Sequence, residues 1–113
     1  YPKERYVIEQ LKLKAKEIIR ICNNIIALNN SPNEFVVNII KREFVLILDS
    51  LEKEGRVIVL TKKKDLLASR VIYDSALDLK SDSDLFNEVF EFEKECKKLS
   101  LKQIKIKYRV GCN

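Results

Sequence analysis

The sequence contains no histidine, which removes the commonest general base and the commonest metal ligand and leaves the carboxylates as the first group to consider for such chemistry. Four aspartates lie close together in its second half: Asp74, Asp78, Asp82 and Asp84. Their spacing lacks the glycine and the terminal bidentate glutamate of a calcium loop, so a solvated linker is the favoured interpretation. Four glutamates follow over 88–95, and the expected role for these is an exposed helix face. No catalytic residue, metal ligand or cofactor is predicted, and the protein is predicted not to be an enzyme.

The basic residues are the second group that could carry function. Two sets are the candidate nucleic-acid contacts: Lys41 and Arg42, and Lys62, Lys63 and Lys64. Phosphate binding needs only flexible positive charge, which a lysine-rich loop tip provides, but such a tip is equally explained as a solvated loop. Lys41 and Arg42 are predicted to flank the start of a recognition helix. The acids that follow them would repel phosphate, so a helix that does not read bases is the favoured alternative.

A third basic segment alternates with apolar residues near the end of the sequence, over 102–109. Its basic side chains could bind an acidic partner or nucleic acid. They could equally protect the edge of a sheet from aggregation.

The three cysteines favour a reducing compartment, the cytosol or the nucleus. They are odd in number and lack metal-ligand spacing. Cys22 and Cys96 fall on apolar stripes, where cysteine packs as a small hydrophobic residue.

Length and charge predict one domain of 113 residues, with 22 basic and 17 acidic side chains. The net charge is +5 over residues 1–64, −6 over 65–95 and +6 over 96–113. This alternation argues against a uniformly basic nucleic-acid wrapper, and it suits a domain with one basic face or one that contacts proteins on both sides. The sequence contains no methionine and begins with tyrosine. We therefore expect residues 1–113 to be a single domain excised from a longer chain.

The first half of the chain reads as helical. Apolar residues at three- and four-residue spacing predict a helix over 4–23, followed by a strand-like apolar link at 25–28. Ser31 is predicted as the N-cap of a second helical segment, with Pro32 in its first position. That segment extends over 32–54 as one helix or two, and Gly55 ends it.

The second half adds strands. Short β-branched runs at 56–60 and 70–73 predict a β-hairpin whose long loop is basic. A helix is expected at 83–99. Its phenylalanines could stack on bases, but core packing is the favoured interpretation. Alternation over 104–110 predicts a strand with one apolar and one basic face.

This order of elements is that of a winged helix. The predicted class is α+β, an extended winged helix with four helices, a hairpin wing, a three-stranded or larger sheet, and an added C-terminal helix and strand.

Residues 1–95 resemble the extended winged-helix domain in the largest, B-block-binding subunit of transcription factor IIIC. Three stretches carry the resemblance: a first helix entering an apolar link at 18–28, the segment 41–55, and the segment 71–89 with its acidic linker. The resemblance implies a nuclear assembly that recognises tRNA-gene promoters and recruits the RNA polymerase III machinery. Its partners would be the other subunits of that factor, with DNA contacted through the backbone, and neither a membrane nor a small-molecule substrate is expected.

Two other functions remain open. One is a winged helix that binds duplex DNA directly. The other is a winged helix of a trafficking complex that binds only protein, since those also carry the sequence LEKEG before an apolar strand.

Overall fold

The computed structural model describes residues 2–60, 65–74 and 80–107. These ranges contain four helices and two strands: α1 (Pro2–Leu28), α2 (Glu34–Glu54), β1 (Val57–Val59), α3 (Leu67–Asp74), α4 (Ser83–Cys96) and β2 (Ile104–Ile106). The mixed α+β class that the sequence predicts is therefore confirmed. The helices also number four in these ranges, but α3 lies where the sequence predicts a strand, at 70–73. The predicted basic loop at 62–64 and the end of the predicted last strand at 108–110 lie outside the described residues.

The first helix is longer than predicted, and the prediction of a strand-like link at 25–28 is wrong. α1 continues to Leu28 because no glycine or proline interrupts it before Pro32, and half-buried Ile25 and Ile26 pack against the core. Asn29 ends the helix with a φ of 52°, in the left-handed region that asparagine tolerates better than most residues.

The second helical segment is one uninterrupted helix, α2, which settles the choice between one helix and two. Its N-cap is Asn33, so the prediction of Ser31 as the cap and Pro32 as the first helical residue is wrong by two positions. The predicted stop is confirmed: Gly55 has a φ of 65° and donates its backbone N–H to the carbonyl oxygen of Leu51. A residue with a side chain would be strained in that left-handed conformation.

The predicted β-hairpin is absent from the described residues. The first strand forms as β1, but the segment predicted as its partner at 70–73 lies within the helix α3. The β-branched pair Val71 and Ile72 favours a strand locally, but helical spacing buries Ala68, Ser69 and Ile72 on one face. Packing of this face between α2 and α4 overrides the local preference. The prediction of a β-hairpin wing is therefore wrong.

The strand β1 pairs instead with β2, in parallel, with Val57 opposite Ile104 and Val59 opposite Ile106. A parallel pair needs a long crossover, and α3 and α4 provide it. Among the described residues the sheet has these two strands, so the expected sheet of three or more strands is not found there.

The helices α1 and α2 form a helical hairpin. A cavity bordered by Glu4 and Ile8 from the beginning of α1 also touches Gly55 after the end of α2, so the two helices run antiparallel. Their facing stripes contribute ten core residues: Val7, Leu11, Ala15, Ile18 and Cys22 from α1, and Val37, Ile40, Phe44, Ile47 and Leu51 from α2.

A buried polar cluster joins the loop of this hairpin to the beginning of α4. The carboxylate of Asp82 accepts a hydrogen bond from the Ser31 hydroxyl at 2.6 Å and another from the Asn33 side-chain amide at 3.1 Å. The Ser31 hydroxyl oxygen also accepts the backbone N–H of Asn33 at 3.1 Å. Asp82 is only 8% exposed, so its predicted role in a solvated linker is wrong.

The helix α4 fills the remaining side of the core. Phe86 and Phe92 are buried, which confirms the prediction that they are core residues. The Phe92 ring meets the Phe44 ring edge-on at a centroid distance of 4.9 Å. Phe90 is half-buried and packs on Tyr73 of α3 at 5.3 Å.

Cys22 and Cys96 are buried free thiols, as their apolar stripes predict. Burial raises the pKa of the Cys22 thiol to about 12, against the opposing effect of Lys41. Burial, with the nearby carboxylates of Glu93 and Glu95, also raises the pKa of Cys96. Both side chains are therefore neutral thiols near pH 7 and serve as packing groups.

Candidate functional site

A groove runs between α2 and the segment that contains β1. It consists of two adjoining cavities of about 340 and 350 Å³ that share Glu43, Leu46 and Leu60. We call it the α2–β1 groove, and its lining residues are Ile39, Arg42, Glu43, Leu46, Asp49, Ser50, Lys53, Glu54, Ile58, Leu60, Leu67 and Lys107.

The apolar part of this groove arises because α2 carries hydrophobic residues on more than one face. The run Phe44–Leu48 has five consecutive apolar residues, and an α-helix can direct only some of them to one side. Phe44 and Ile47 face the core, whereas Val45 and Leu46 are 46% and 56% exposed. Leu46 therefore presents apolar surface to solvent beside Ile58 and Leu60.

The strand that borders the groove is held against α2 by Ser50. Its hydroxyl oxygen lies 2.8 Å from the carbonyl oxygen of Ile47 and 3.0 Å from that of Arg56. The Ser50 hydroxyl is thus placed between the helix backbone and the residue before β1. This contact joins α2 to the residue that precedes β1, at one border of the groove.

One edge of β1 is open in the described part of the chain. Val57 donates its backbone N–H to the carbonyl oxygen of Gln103, and the carbonyl oxygen of Val59 accepts from Lys107, so both residues bond toward β2. In a parallel strand, the backbone groups of the intervening residue point to the opposite edge. That residue is Ile58, which lines the groove.

The charged residues around the groove are of both signs. Arg42, Lys53 and Lys107 alternate with acids, and the Lys53 ammonium lies 3.1 Å from the carboxylate of Asp49. Both partners of that pair are largely exposed, so it contributes little to stability. A rim of mixed charge suits a protein surface better than a phosphate backbone.

The predicted nucleic-acid residues are not brought together as one surface. Lys41 and Arg42 lie about two turns from the first residue of α2, so their placement at the start of a recognition helix is wrong. Arg42 is exposed and lines the groove, whereas half-buried Lys41 lies close enough to Cys22 of α1 to act on its pKa. Lys62, Lys63 and Lys64 lie outside the described residues.

Sequence reasoning did not identify the groove. The run of five apolar residues in α2 signals that more than one helix face is apolar, and this was the available clue. Its second wall depends on where β1 lies, which the local sequence does not specify.

No protein-family profile, curated protein or solved structure matches this chain. Within the described ranges, no helix combines the length and apolar character needed to cross a membrane. The same ranges contain no group of three or more cysteine, aspartate or glutamate side chains placed to hold a metal ion.

Proposed function

We propose that this chain is a non-enzymatic protein-interaction domain whose partner docks in the α2–β1 groove. The observation that carries this proposal is the exposed apolar surface of Leu46 beside an open strand edge. Exposed leucine surface favours association because burying it removes apolar area from water. The strand edge adds backbone hydrogen-bonding groups at Ile58, which a partner can pair with.

The partner segment that fits this site is an extended peptide. Such a segment pairs its backbone with an open strand edge and places alternate side chains into neighbouring pockets. The groove offers an apolar pocket at Leu46 and Leu60 and a rim of both charges. An extended segment with alternating apolar residues, flanked by charged ones, complements that arrangement.

Replacing Leu46 with glutamate should weaken docking while leaving the fold intact, because Leu46 is more than half exposed. Peptides selected from a random library against the wild-type domain provide the ligand. We expect Leu46→Glu to weaken their binding roughly tenfold or more, the loss typical of an apolar anchor, measured by isothermal titration calorimetry.

Leu13→Glu is the matched control, because Leu13 is 60% exposed and lies on α1, which contributes no residue to the groove. It should change the affinity less than twofold. Equal losses in the two variants, or selected peptides that bind both as tightly as wild type, would contradict the proposal.

A narrower proposal is that the partner assembly is transcription factor IIIC, in the nucleus. Its support is the sequence of the three stretches, together with the order of α2, the Gly55 stop and β1. The resemblance also requires a hairpin after Gly55, and α3 occupies that place in the structure, so this proposal is the weaker of the two. Co-purification with the other subunits of that factor tests it, and co-purification with a trafficking complex would replace it.

Direct duplex binding is the less favoured alternative. Salt-dependent binding to a tRNA-gene duplex, compared with a scrambled duplex, separates the two functions. Tight, sequence-dependent binding near physiological salt would favour a promoter-reading domain.

A further inference from the structure

A second cleft lies between α3 and α4 and shares no lining residue with the α2–β1 groove. Its volume is about 340 Å³. Six residues line it: Asp65, Ser69, Arg70, Tyr73, Asp74 and Glu93. Three of these side chains are carboxylates and one is a guanidinium, so the cleft favours a cation.

Two polar atoms of this cleft are buried without a hydrogen-bond partner among the described residues. They are the hydroxyl oxygen of Ser69 and the Oε2 atom of Glu93. Ser69 is only 1% exposed, so water does not reach its hydroxyl freely. Burying such groups without a partner is unfavourable, which makes them unusual in a folded protein.

The Glu93 Oε2 atom lacks a hydrogen-bond donor, whereas the Ser69 hydroxyl can either donate or accept. Arg70 lines the same cleft but does not donate to Glu93 Oε2. A single water occupies roughly 30 Å³ in the liquid, far less than the volume of the cleft. The cleft that Ser69 and Glu93 line is therefore large enough for a donor much larger than water.

We propose that this cleft binds an arginine side chain of a partner peptide. A guanidinium offers five N–H donors in one plane, and a carboxylate can accept two of them side by side. Tyr73 completes the site at the rim: its ring rests on Phe90, yet the residue is 75% exposed. Its ring is therefore free to stack on a guanidinium plane.

The test uses a short blocked peptide that contains one arginine and the same peptide with citrulline, which keeps the shape and removes the charge. In ¹⁵N NMR titrations of the whole domain, the arginine peptide should shift the amide signals of Ser69 and Glu93. We expect it to bind roughly tenfold or more tightly than the citrulline peptide, as a charge-assisted bond implies.

Glu93→Gln removes the charge with little change of shape. It should lower the affinity for the arginine peptide by a similar factor. Glu91→Gln is the matched control, since Glu91 lies on the same helix, is exposed and pairs with Lys94 at 3.2 Å. It should change the affinity less than twofold. If Glu93→Gln fails to fold, Asp74→Asn at the exposed rim takes its place, with the same expected loss.

Equal affinities for the arginine and citrulline peptides would overturn the proposal, as would equal effects of Glu93→Gln and Glu91→Gln. The proposal does not depend on the groove. Leu46→Glu should leave the arginine peptide's affinity unchanged, so failure of one site is distinguishable from failure of the other.

Discussion

Phe44→Ala should destabilise the domain by about 3–5 kcal/mol, the usual cost of truncating a buried phenylalanine. Phe44 is fully buried on α2, and its ring meets Phe92 of α4 edge-on at 4.9 Å. The substitution removes this aromatic contact and leaves a cavity between the two helices. Urea unfolding followed by far-UV circular dichroism measures the change in the free energy of unfolding.

Phe35→Ala is the matched control on the same helix. Phe35 is 76% exposed, so its truncation should change the free energy of unfolding by less than about 0.5 kcal/mol. Similar losses in the two variants would show that α2 does not face α4 through Phe44.

The second large effect is expected from Asp82→Ala, at about 2–3 kcal/mol of stability. The Asp82 carboxylate accepts from Ser31 and Asn33, which lie 51 and 49 positions earlier in the chain. Removing it takes the charged acceptor away from donors that are buried or half-buried, and releases the α1–α2 loop from the beginning of α4. The midpoint of urea unfolding measures the loss.

Asp84→Ala is its control, since Asp84 lies in the first turn of the same helix and is exposed. It should cost less than about 1 kcal/mol, because only its interaction with the helix dipole is lost. A loss for Asp82→Ala no larger than this would contradict the buried role of Asp82.

The sequence predicts those parts of the fold that depend on local pattern. The apolar period of α2, the Gly55 stop and the strand at β1 follow from residues within one or two turns of each other. The stop is specific because Gly55 adopts a left-handed φ, and the lysine near the helix end suits its dipole.

The parts that could not be predicted depend on contacts between distant residues. Val71 and Ile72 favour a strand by their β-branched side chains, and only packing between α2 and α4 explains why they are helical. The pairing of Val57 with Ile104 spans both intervening helices, and no local signal specifies a parallel partner. Asp82 is predicted as a linker acid because its hydrogen-bond donors, Ser31 and Asn33, lie 51 and 49 positions earlier in the sequence.

The same distinction applies to the candidate sites. Lys41 and Arg42 are predicted as contacts from their charge, but the structure places Arg42 on a mixed-charge groove and Lys41 near Cys22 of α1. The groove and the acidic cleft depend on where β1 and α3 pack. The residues that line the groove and the cleft do not by themselves predict where β1 and α3 pack.

The most direct test of the groove is site-specific photo-crosslinking in extracts of the source organism. A photoreactive phenylalanine analogue replaces Leu46 in one preparation and Leu13 in another, since both positions are similarly exposed. We predict a discrete crosslinked partner at position 46 that disappears when Leu60 is also changed to glutamate. The same adduct at both positions, or no adduct at position 46, would contradict the groove as the partner-binding surface.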